Sequence, residues 1–365
     1  MKPYTGDKMK IHRSFYLFIF LLVLNHATQS AGTYQLIREI PVAGNGSWDY
    51  VGMDAANRHV LISHGSQLEI LNADTYALDG KIMGPGVDQS RPESMTGQGV
   101  RGAAAAPDLG LGFMPNARDG SVSIFDLKSL KVLSVVKVGE NPDGYVYDPA
   151  THYGFTFSNR TKSAAVVDLQ AAILVATIPL GSKPEAAAAD GNGNVFVNMQ
   201  EKDQVTKIDA NKLTVIGSWP TAPCSNPTSM AIDRTNQRLF IGCRGNTPML
   251  IVMDATNGKI ITSLPIGDRT DAAVFDADKQ LIFTSNGGDG TLSVIKQLTP
   301  DQYQLQETVH TEKGFRTMTL DPVTHNLFLI SAKRTTPPAV ERQPAPREVI
   351  VPDSFKVLVV GPGQG

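Results

Sequence analysis

The stretch NPTSMAIDRTNQRLFIG (226–242), followed closely by PMLIVMDATNGKIITSLPIG (248–267), decides the fold. Polar turns divide it into four short apolar strands, of which the first ends at Asp233 and the third at Asp254. Short alternating strands joined by tight turns are typical of an antiparallel sheet. The stretch therefore predicts one four-stranded antiparallel unit.

The same pattern recurs along the chain. The further copies span 47–62, 99–113, 141–157, 183–197, 269–283 and 314–329. An anchor residue ends the first strand of each copy, and the anchors Asp54, Ala106, Asp148, Asp190, Asp233, Asp276 and Asp321 follow one another at steps of 52, 42, 42, 43, 43 and 45 residues. A period of about 40–45 residues with four strands per unit is typical of β-propeller blades. Seven copies predict an all-β, seven-bladed propeller, in which even the alanine runs 103–106 and 186–189 form first strands.

The two ends of the repeat array complement each other. TYQLIREIPV (33–42) resembles the fourth strands of later copies, whereas FKVLVVG (355–361) resembles a third strand and no fourth strand follows it. We therefore expect the N-terminal strand to complete the last blade. Such pairing closes the ring and leaves no open end of the array.

The N-terminus has the layout of a secretory signal. Lys8, Lys10 and Arg13 precede the apolar run SFYLFIFLLVL (14–24), and small residues follow near Ser30 and Ala31. Basic, apolar and small segments in this order are typical of a cleaved signal peptide. An uncleaved membrane anchor is the alternative, but the apolar run is shorter than the ~20 residues that a span needs. We predict a signal over 1–31, a single propeller domain over 32–365, and a periplasmic or secreted mature protein without a stable membrane anchor.

Charge and composition exclude several classes of function. The net charge is −2 and charged residues make up 19% of the chain, which gives no basic footprint for nucleic acid. The chain has no C-x-x-C-H, H-E-x-x-H, G-x-S-x-G or P-loop motif, and its seven histidines show no zinc spacing. We expect no cofactor and no metal. The methionines near the second copy are interpreted as packing residues rather than copper ligands.

Two insertions interrupt the period. One, at 84–98, joins the first two blades, and the other, at 333–352, lies between the second and third strands of the last blade. In an up-and-down blade both kinds of loop emerge on one face, which we call the loop-bearing face. Long loops on a rigid scaffold often carry function. The alternative is that both are disordered decoration, above all the proline-rich second one.

The repeat resembles the YVTN-repeat, YncE-like propeller family, which is related to the propellers of quinoprotein amine dehydrogenase beta chains. The resemblance rests on 143–169, 227–243 and 318–331 and covers about residues 34–361. It implies an exported, WD40-like seven-bladed propeller. It implies no catalytic residues, and the first two copies depart from the pattern, with Ala106 where the other anchors are aspartates.

Candidate site residues follow from the repeat register. The positions five residues before the anchors are Asp49, Arg101, Asp143, Glu185, Thr228, Asp271 and Arg316. We expect these seven, called the mouth ring below, at one mouth of the central channel on the loop-bearing face. Carboxylates and arginines in such a ring can hold a small polar ligand or a hard cation. The alternative is that they are solvated strand-start residues paired with one another.

A second set lies ten residues after the anchors. It comprises His64, Asn116, Ser158, Gln200, Cys243, Asn286 and Ser331, with Arg244 beside it. All are polar or carry a thiol, so they are candidates for a second ring outside the first. A lone histidine such as His64 more commonly fills a hydrogen-bonding role than that of a base or ligand.

The only two cysteines lie in the fifth copy. Cys224 precedes the first strand, Cys243 ends the second, and a hairpin centred on 234–237 places Thr228 opposite Cys243. Export to an oxidising compartment favours a disulfide between them. The alternative is a pair of free thiols.

The sequence favours a monomeric binding module for a small polar molecule or a protein partner. The alternative is a hydrolase or lactonase that uses mouth carboxylates such as Asp143, Glu185 and Asp271. An enzyme is expected to show a carboxyl group of raised pKa beside a pocket. A binding module is expected to show a mixed patch across several blades.

Overall fold

The computed structural model describes residues 1–3, 33–87, 99–336 and 348–363. The ring lies within the second of two compact units, Thr33–Gly365. The predicted signal falls on residues that are largely outside the described ranges, and of the first unit, Met1–Gly32, only residues 1–3 are described. No helix among the described residues is long and apolar enough to cross a membrane.

Seven four-stranded antiparallel sheets form the blades, which confirms the predicted all-β propeller. From the axis outwards, blade 1 contains β2 (Val51–Asp54), β3 (His59–His64), β4 (Gln67–Asn72) and β5 (Leu78–Met83). Blade 2 contains β6 (Ala104–Ala106), β7 (Leu111–Asn116), β8 (Ser121–Asp126) and β9 (Val132–Lys137). Blade 3 contains β10 (Tyr145–Asp148), β11 (Tyr153–Ser158), β12 (Ser163–Asp168) and β13 (Ile173–Pro179).

The remaining blades continue in the same order. Blade 4 contains β14 (Pro184–Ala189), β15 (Asn194–Met199), β16 (Gln204–Asp209) and β17 (Thr214–Pro220), with a 3₁₀ turn at Gln200–Lys202. Blade 5 contains β18 (Pro227–Asp233), β19 (Arg238–Cys243), β20 (Met249–Asp254) and β21 (Ile260–Pro265). Blade 6 contains β22 (Thr270–Asp276), β23 (Leu281–Asn286), β24 (Thr291–Thr299) and β25 (Gln302–His310).

Blade 7 combines both ends of the strand array. Its order from the axis is β26 (Thr317–Leu320), β27 (Leu327–Ser331), β30 (Lys356–Pro362) and β1 (Tyr34–Pro41). The outer pair runs from Tyr34↔Pro362 to Pro41↔Lys356, and the innermost strand β26 contacts β2 of blade 1. The predicted closure by the N-terminal strand is therefore confirmed.

The anchor aspartates fix the turn between the first and second strands. Asp233, for example, accepts hydrogen bonds from the backbone amides of Thr235 and Asn236 and from the Asn236 side chain at 2.6–3.1 Å. All six anchor aspartates are at most 5% exposed. Buried carboxylates need such partners, because a buried and unpaired charge is costly. The repeated aspartate is thus a structural residue that shapes each turn.

Apolar side chains fill the spaces between neighbouring blades. The second strands of blades 2 to 7 each contribute at least one phenylalanine that is at most 1% exposed, namely Phe113, Phe155 and Phe157, Phe196, Phe240, Phe283 and Phe328. Burial of such a side chain stabilises the fold by roughly 1.5–3 kcal/mol. Each blade contributes to two cores, one on either side, so the ring holds its shape by face-to-face packing.

The insertions lie on the same side of the ring as the mouth ring. Gly84 and Gly99, at the two ends of the first insertion, donate backbone hydrogen bonds to Ser66 and Gly65 in the loop between β3 and β4. The second insertion begins and ends in a short ribbon, β28 (Arg334–Thr335) paired with β29 (Val349–Ile350). The proline-rich insertion therefore has an ordered base; residues 88–98 and 337–347 lie outside the described ranges.

A disulfide joins Cys224 to Cys243, with their Cα atoms 5.6 Å apart and both side chains buried. The predicted bond is confirmed, and the hairpin pairs Asp233 with Arg238 as expected. The predicted partner of Cys243 is wrong by one residue. Pro227, not Thr228, lies opposite Cys243, because a β-bulge makes Thr228 an extra residue in β18.

Candidate functional site

The mouth ring begins where the chain enters the innermost strand of each blade. In blades 1, 2, 3 and 7 the ring residue lies one to three positions before that strand. In blades 4, 5 and 6 it lies in a β-bulge of the strand, where Glu185, Thr228 and Asp271 fall within the register shifts. A bulge adds a residue that is free of the ladder and turns its side chain away from the sheet.

Three carboxylates and two cations share the part of the mouth formed by blades 1 to 4. Arg101 Nη1 lies 2.8 Å from Asp49 Oδ2, and Arg101 Nε lies 3.6 Å from Asp143 Oδ1. Lys183 Nζ lies 3.3 Å from Glu185 Oε2. These side chains are 11–31% exposed, so they are sheltered but reachable by solvent.

One carboxylate and two guanidinium groups occupy the part formed by blades 5 to 7. Asp271 accepts Arg316 Nη1 at 2.9 Å through one oxygen and is ion-paired with Arg244 through the other. Arg244 also donates from Nε to the carbonyl of Thr270 at 2.6 Å. Arg244, predicted from the second set, therefore joins the mouth ring.

A cavity of about 160 Å³ lies beside the ring and is lined by the innermost strands. Its lining comprises Tyr50, Val51, Gly144, Tyr145, Ala186, Ala187, Met230, Asp271, Ala272, Ala273 and Met318. Most of these residues follow a ring residue by one or two positions. The axis of the propeller is thus a chamber with polar groups at the mouth and mainly small or apolar walls.

Burial and charge repulsion perturb the carboxyl groups of the ring. Burial, followed by repulsion from Asp143, raises the pKa of Asp49 from 3.8 to about 7 against the attraction of Arg101. Burial also raises the pKa values of Asp143 and Glu185, although Arg101 and Lys183 respectively oppose the change. Because each group responds to acids on other blades, the ring behaves as one electrostatic unit.

Two tyrosines belong to this site although the sequence did not single them out. The Tyr50 and Tyr145 rings pack edge to face with their centroids 5.7 Å apart. Burial raises the pKa of Tyr50, and repulsion from Glu185 and Asp143 raises it further, which places its hydroxyl near the acids. The signal that identifies them is an aromatic residue one or two positions after a ring acid. Lys183, two positions before Glu185, was not predicted either, because it lies outside the repeat position that selected the ring residues.

Thr228 has a supporting place in the ring. It is 1% exposed, donates to the carbonyl of Asn226 at 3.0 Å and accepts Gln200 Nε2 at 3.3 Å. Gln200 in turn accepts a hydrogen bond from Lys183. Thr228 therefore links the acidic part of the mouth to blade 5 through side-chain contacts.

The other candidates of the second set lie within or between blades. Asn116 donates to the hydroxyls of Ser121 and Ser123 at 3.2 and 3.0 Å, and Asn286 makes the equivalent bonds in blade 6 at 3.1 and 3.0 Å. Their contacts brace the loop between the second and third strands. His64 is 3% exposed and stacks on Phe355 at 4.3 Å, between blades 1 and 7.

The remaining members show the same pattern. Ser158 donates to the carbonyl of Glu140 at 2.7 Å, Ser331 is fully buried, and Cys243 forms the disulfide. These residues lie at or next to the ends of the second strands, and the contacts described for them lie within or between blades. Among the described residues, no group of three or more histidine, cysteine, aspartate or glutamate side chains is arranged to hold a metal ion.

Comparison with known proteins identifies the fold. No protein-family model and no curated protein matches the chain. A solved chain of Kuenenia stuttgartiensis hydrazine synthase is similar, with 15% identity, a TM-score of 0.65, and coverage of 79% of this chain and 94% of that one. A chain of a mitotic checkpoint complex is also similar, with 13% identity, a TM-score of 0.70, and coverage of 87% and 95%. This is a propeller of the WD40 type in its architecture.

Proposed function

We propose that this protein is an exported binding module that receives a small polar ligand at the mouth ring. The observation that carries the proposal is the cavity of about 160 Å³ that shares Asp271 with the ion-paired ring. Small-molecule sites commonly combine mainly apolar walls with a few convergent polar groups. A closed ring of blades holds these groups on a rigid scaffold, which reduces the ordering cost of binding.

Export is the second part of the proposal. The signal-like order of residues 1–31 and the Cys224–Cys243 disulfide both support an oxidising compartment, periplasmic or extracellular. We expect the mature chain to begin near Ala31 or Gly32. Intact-mass measurement of a periplasmic fraction tests this, and a full-length product in the membrane fraction would contradict it.

A protein partner on the loop-bearing face is the other form of binding that the fold supports. One structural neighbour comes from a mitotic checkpoint complex, which is a protein assembly. Membership of the YncE-like propeller family is likewise only proposed, because the similar solved chains support the fold alone.

Hydrolysis is a second candidate function, and one observation favours it. The Asp49 carboxyl has its pKa raised to about 7 beside the cavity, which suits a group that exchanges protons near neutral pH. Hydrolysis of γ-butyrolactone or p-nitrophenyl acetate, with a rate inflection near pH 7 that Asp49→Asn removes, would support an enzyme. Hydrolysis rates equal to those in buffer alone would contradict an enzyme and leave the binding module as the proposed function.

The binding proposal is tested by native mass spectrometry of the mature chain purified under mild conditions. We expect a small molecule to be retained by the wild type and lost from Asp271→Asn and Arg316→Gln. Asp278→Ala changes an exposed turn at the opposite end of the first strand of blade 6 and serves as the matched control. If the ring variants retained the small molecule and the turn variant lost it, the ligand site would lie on the opposite face and the proposal would be wrong.

A further inference from the structure

The charges of the mouth are separated into two sides. Blades 1 to 4 contribute the carboxylates of Asp49, Asp143 and Glu185 against the two cations Arg101 and Lys183. Blades 5 to 7 contribute Asp271 against the two guanidinium groups of Arg244 and Arg316. Among the described residues of the mouth, four carboxylates thus accompany four cations, with one carboxylate in excess on one side and one guanidinium in excess on the other.

The two sides adjoin where blade 7 meets blade 1 and where blade 4 meets blade 5. The Asp49 carboxyl responds to the charges of Arg316 and Asp271 although it pairs directly with Arg101. Arg244 likewise acts on Glu185. Charges that influence one another in this way lie within reach of a single small ligand.

The chamber next to the mouth has a different chemistry. Its walls combine the methyl, thioether and aromatic groups of Val51, Tyr145, Ala186, Ala187, Met230, Ala272, Ala273 and Met318 with Tyr50, Gly144 and the Asp271 side chain. A protein cavity of about 150 Å³ accommodates benzene, so the observed 160 Å³ suits a body of similar size. The site thus offers opposite charges at the mouth and, beside it, a cavity whose walls are partly apolar and include Asp271.

We propose that the mouth ring binds the ammonium and carboxylate groups of an α-amino acid whose apolar side chain enters the chamber. This inference rests on the proposed binding function and names its ligand class. Both charges of an α-amino acid are at one end of the molecule and its side chain is at the other, which matches the arrangement of mouth and chamber. An ω-amino acid separates its charges by its apolar chain and does not match.

Specific groups have donors and acceptors for these contacts. The Asp143 carboxylate lies on the acidic side, its side chain is 21% exposed, and its Oδ1 lies 3.6 Å from Arg101 Nε. It is suited to accept from the ammonium. Arg316 is 37% exposed and contacts Asp271 through Nη1, so its other edge can donate to the carboxylate.

The proposal is tested by isothermal titration of the full mature chain at pH 7.5 with L-leucine and L-phenylalanine. Three comparison probes each lack one recognised feature: isoamylamine lacks the carboxylate, 4-methylpentanoate lacks the ammonium, and glycine lacks the apolar body. We expect at least tenfold weaker binding of each comparison probe. Isoamylamine binding as tightly as leucine would overturn the zwitterion assignment, and glycine binding as tightly would overturn the role of the chamber.

Two variants locate the binding. Arg316→Gln and Glu185→Gln, which act on opposite sides of the mouth, should each weaken L-leucine binding at least tenfold. Asp301→Asn, on an exposed turn, is the matched control, and unchanged melting temperatures show that the variants fold. Leucine binding that survives both ring variants would place it elsewhere and overturn the inference.

The outcomes separate this inference from the proposed function. If no amino acid binds, yet Arg316→Gln loses a small molecule retained by the wild type in native mass spectrometry, the amino-acid assignment fails and the binding function stands. If no amino acid binds and no ligand is retained at the ring, both fail.

Discussion

At the scale of single residues, acids five positions apart in the same repeat have opposite surroundings. The anchor Asp54 accepts both the backbone amide and the side chain of Asn57, at 3.3 and 2.7 Å. Asp49, at the mouth, is instead held near other acids and shares Arg101 with Asp143. Hydrogen-bond donors stabilise a carboxylate, whereas burial beside like charges favours its protonated form. Anchor acids therefore serve the fold, and mouth acids remain available for chemistry.

The raised pKa of Asp49 predicts a pH dependence of stability. Its pKa is about 7 in the folded protein and 3.8 ordinarily, so the folded state binds more protons than the unfolded state between these values. Stability from this group is therefore present below about pH 4 and is lost as the pH rises to about 7, by up to about 4 kcal/mol. We expect Asp49→Asn to reduce the fall in melting temperature between pH 4.5 and 8, measured by circular dichroism. Asp301→Asn should keep the wild-type slope, and an equal slope in both variants would contradict the assignment.

The disulfide predicts a defined loss of stability. Cys224 and Cys243 are 19 residues apart, and a closed loop of this size stabilises by about 3 kcal/mol in the chain-entropy description. We expect the double variant Cys224→Ser/Cys243→Ser to unfold at lower urea with that difference in free energy. Thiol titration of the denatured, unreduced wild type should find no free thiol; two per chain would show that the bond does not form.

At the scale of elements, the outermost strands share a device that limits edge pairing. Each of the seven outer strands has a register shift against its neighbour. The extra residues are Ile37, Asp79, Leu133, Val175, Ile216, Ile261 and Gln306. Bulges twist a strand and interrupt its row of hydrogen-bonding groups, so they discourage a second chain from adding to the edge. Exposed apolar residues on these strands, such as Leu133 and Ile216, are compatible with solubility for that reason.

The contact between blades 7 and 1 predicts a sensitive ion pair. Arg58 donates to both oxygens of the fully buried Asp321 at 2.6 Å and also pairs with the exposed Asp74. Arg58→Ala leaves the Asp321 charge without this partner, so we expect a loss of about 3 kcal/mol in urea unfolding. Lys212→Ala removes the pair between the exposed Lys212 and Asp209 and should cost much less, because solvent screens that pair. Equal losses would show that burial does not decide the contribution.

The closing strand predicts a contrast between two deletions. Tyr34 and Ile40 of β1 enter two different cores, and the strand covers the edge of β30. Deletion of residues 33–42 should cause aggregation or a large fall in melting temperature. Deletion of residues 337–347 should be tolerated, because β28 and β29 pair at the base of that insertion. Equal melting temperatures would contradict the role of β1.

At the scale of the whole molecule, the ring is held by noncovalent pairing between distant parts of the chain. The amide of Gly363 donates to the carbonyl of Thr33 at 2.8 Å, so the ends of the propeller are adjacent. A circular permutant that joins Gly363 to Thr33 and opens the chain within 337–347 should therefore fold. We expect its melting temperature to lie within about 5 °C of the wild type, a change of roughly 3–4 kcal/mol for a ring of about 330 residues. Failure to fold would show that closure depends on where the chain is cut.

The sequence by itself determined the number of blades, the anchors, the closing strand and the pairing of the two cysteines. The first three follow from local repetition, because every unit has to bury the same faces and form the same turns. The cysteine pairing follows from the hairpin register of the fifth copy and from the expected export. The sequence also predicted the residues of the mouth ring by register, including Asp49, Arg101 and Asp271.

The tertiary structure alone decided which of those residues act together. Repetition cannot show that Arg244 and Lys183 reach into the mouth or that Tyr50 lies among the acids. Nor can it show that Asn116 and Asn286 brace loops within their own blades. The bulge at Thr228, which shifts the partner of Cys243 by one residue, is equally invisible in the repeat. Such outcomes depend on distances across the axis between blades far apart in sequence, and electrostatic interaction depends on those distances and on burial rather than on position in the chain.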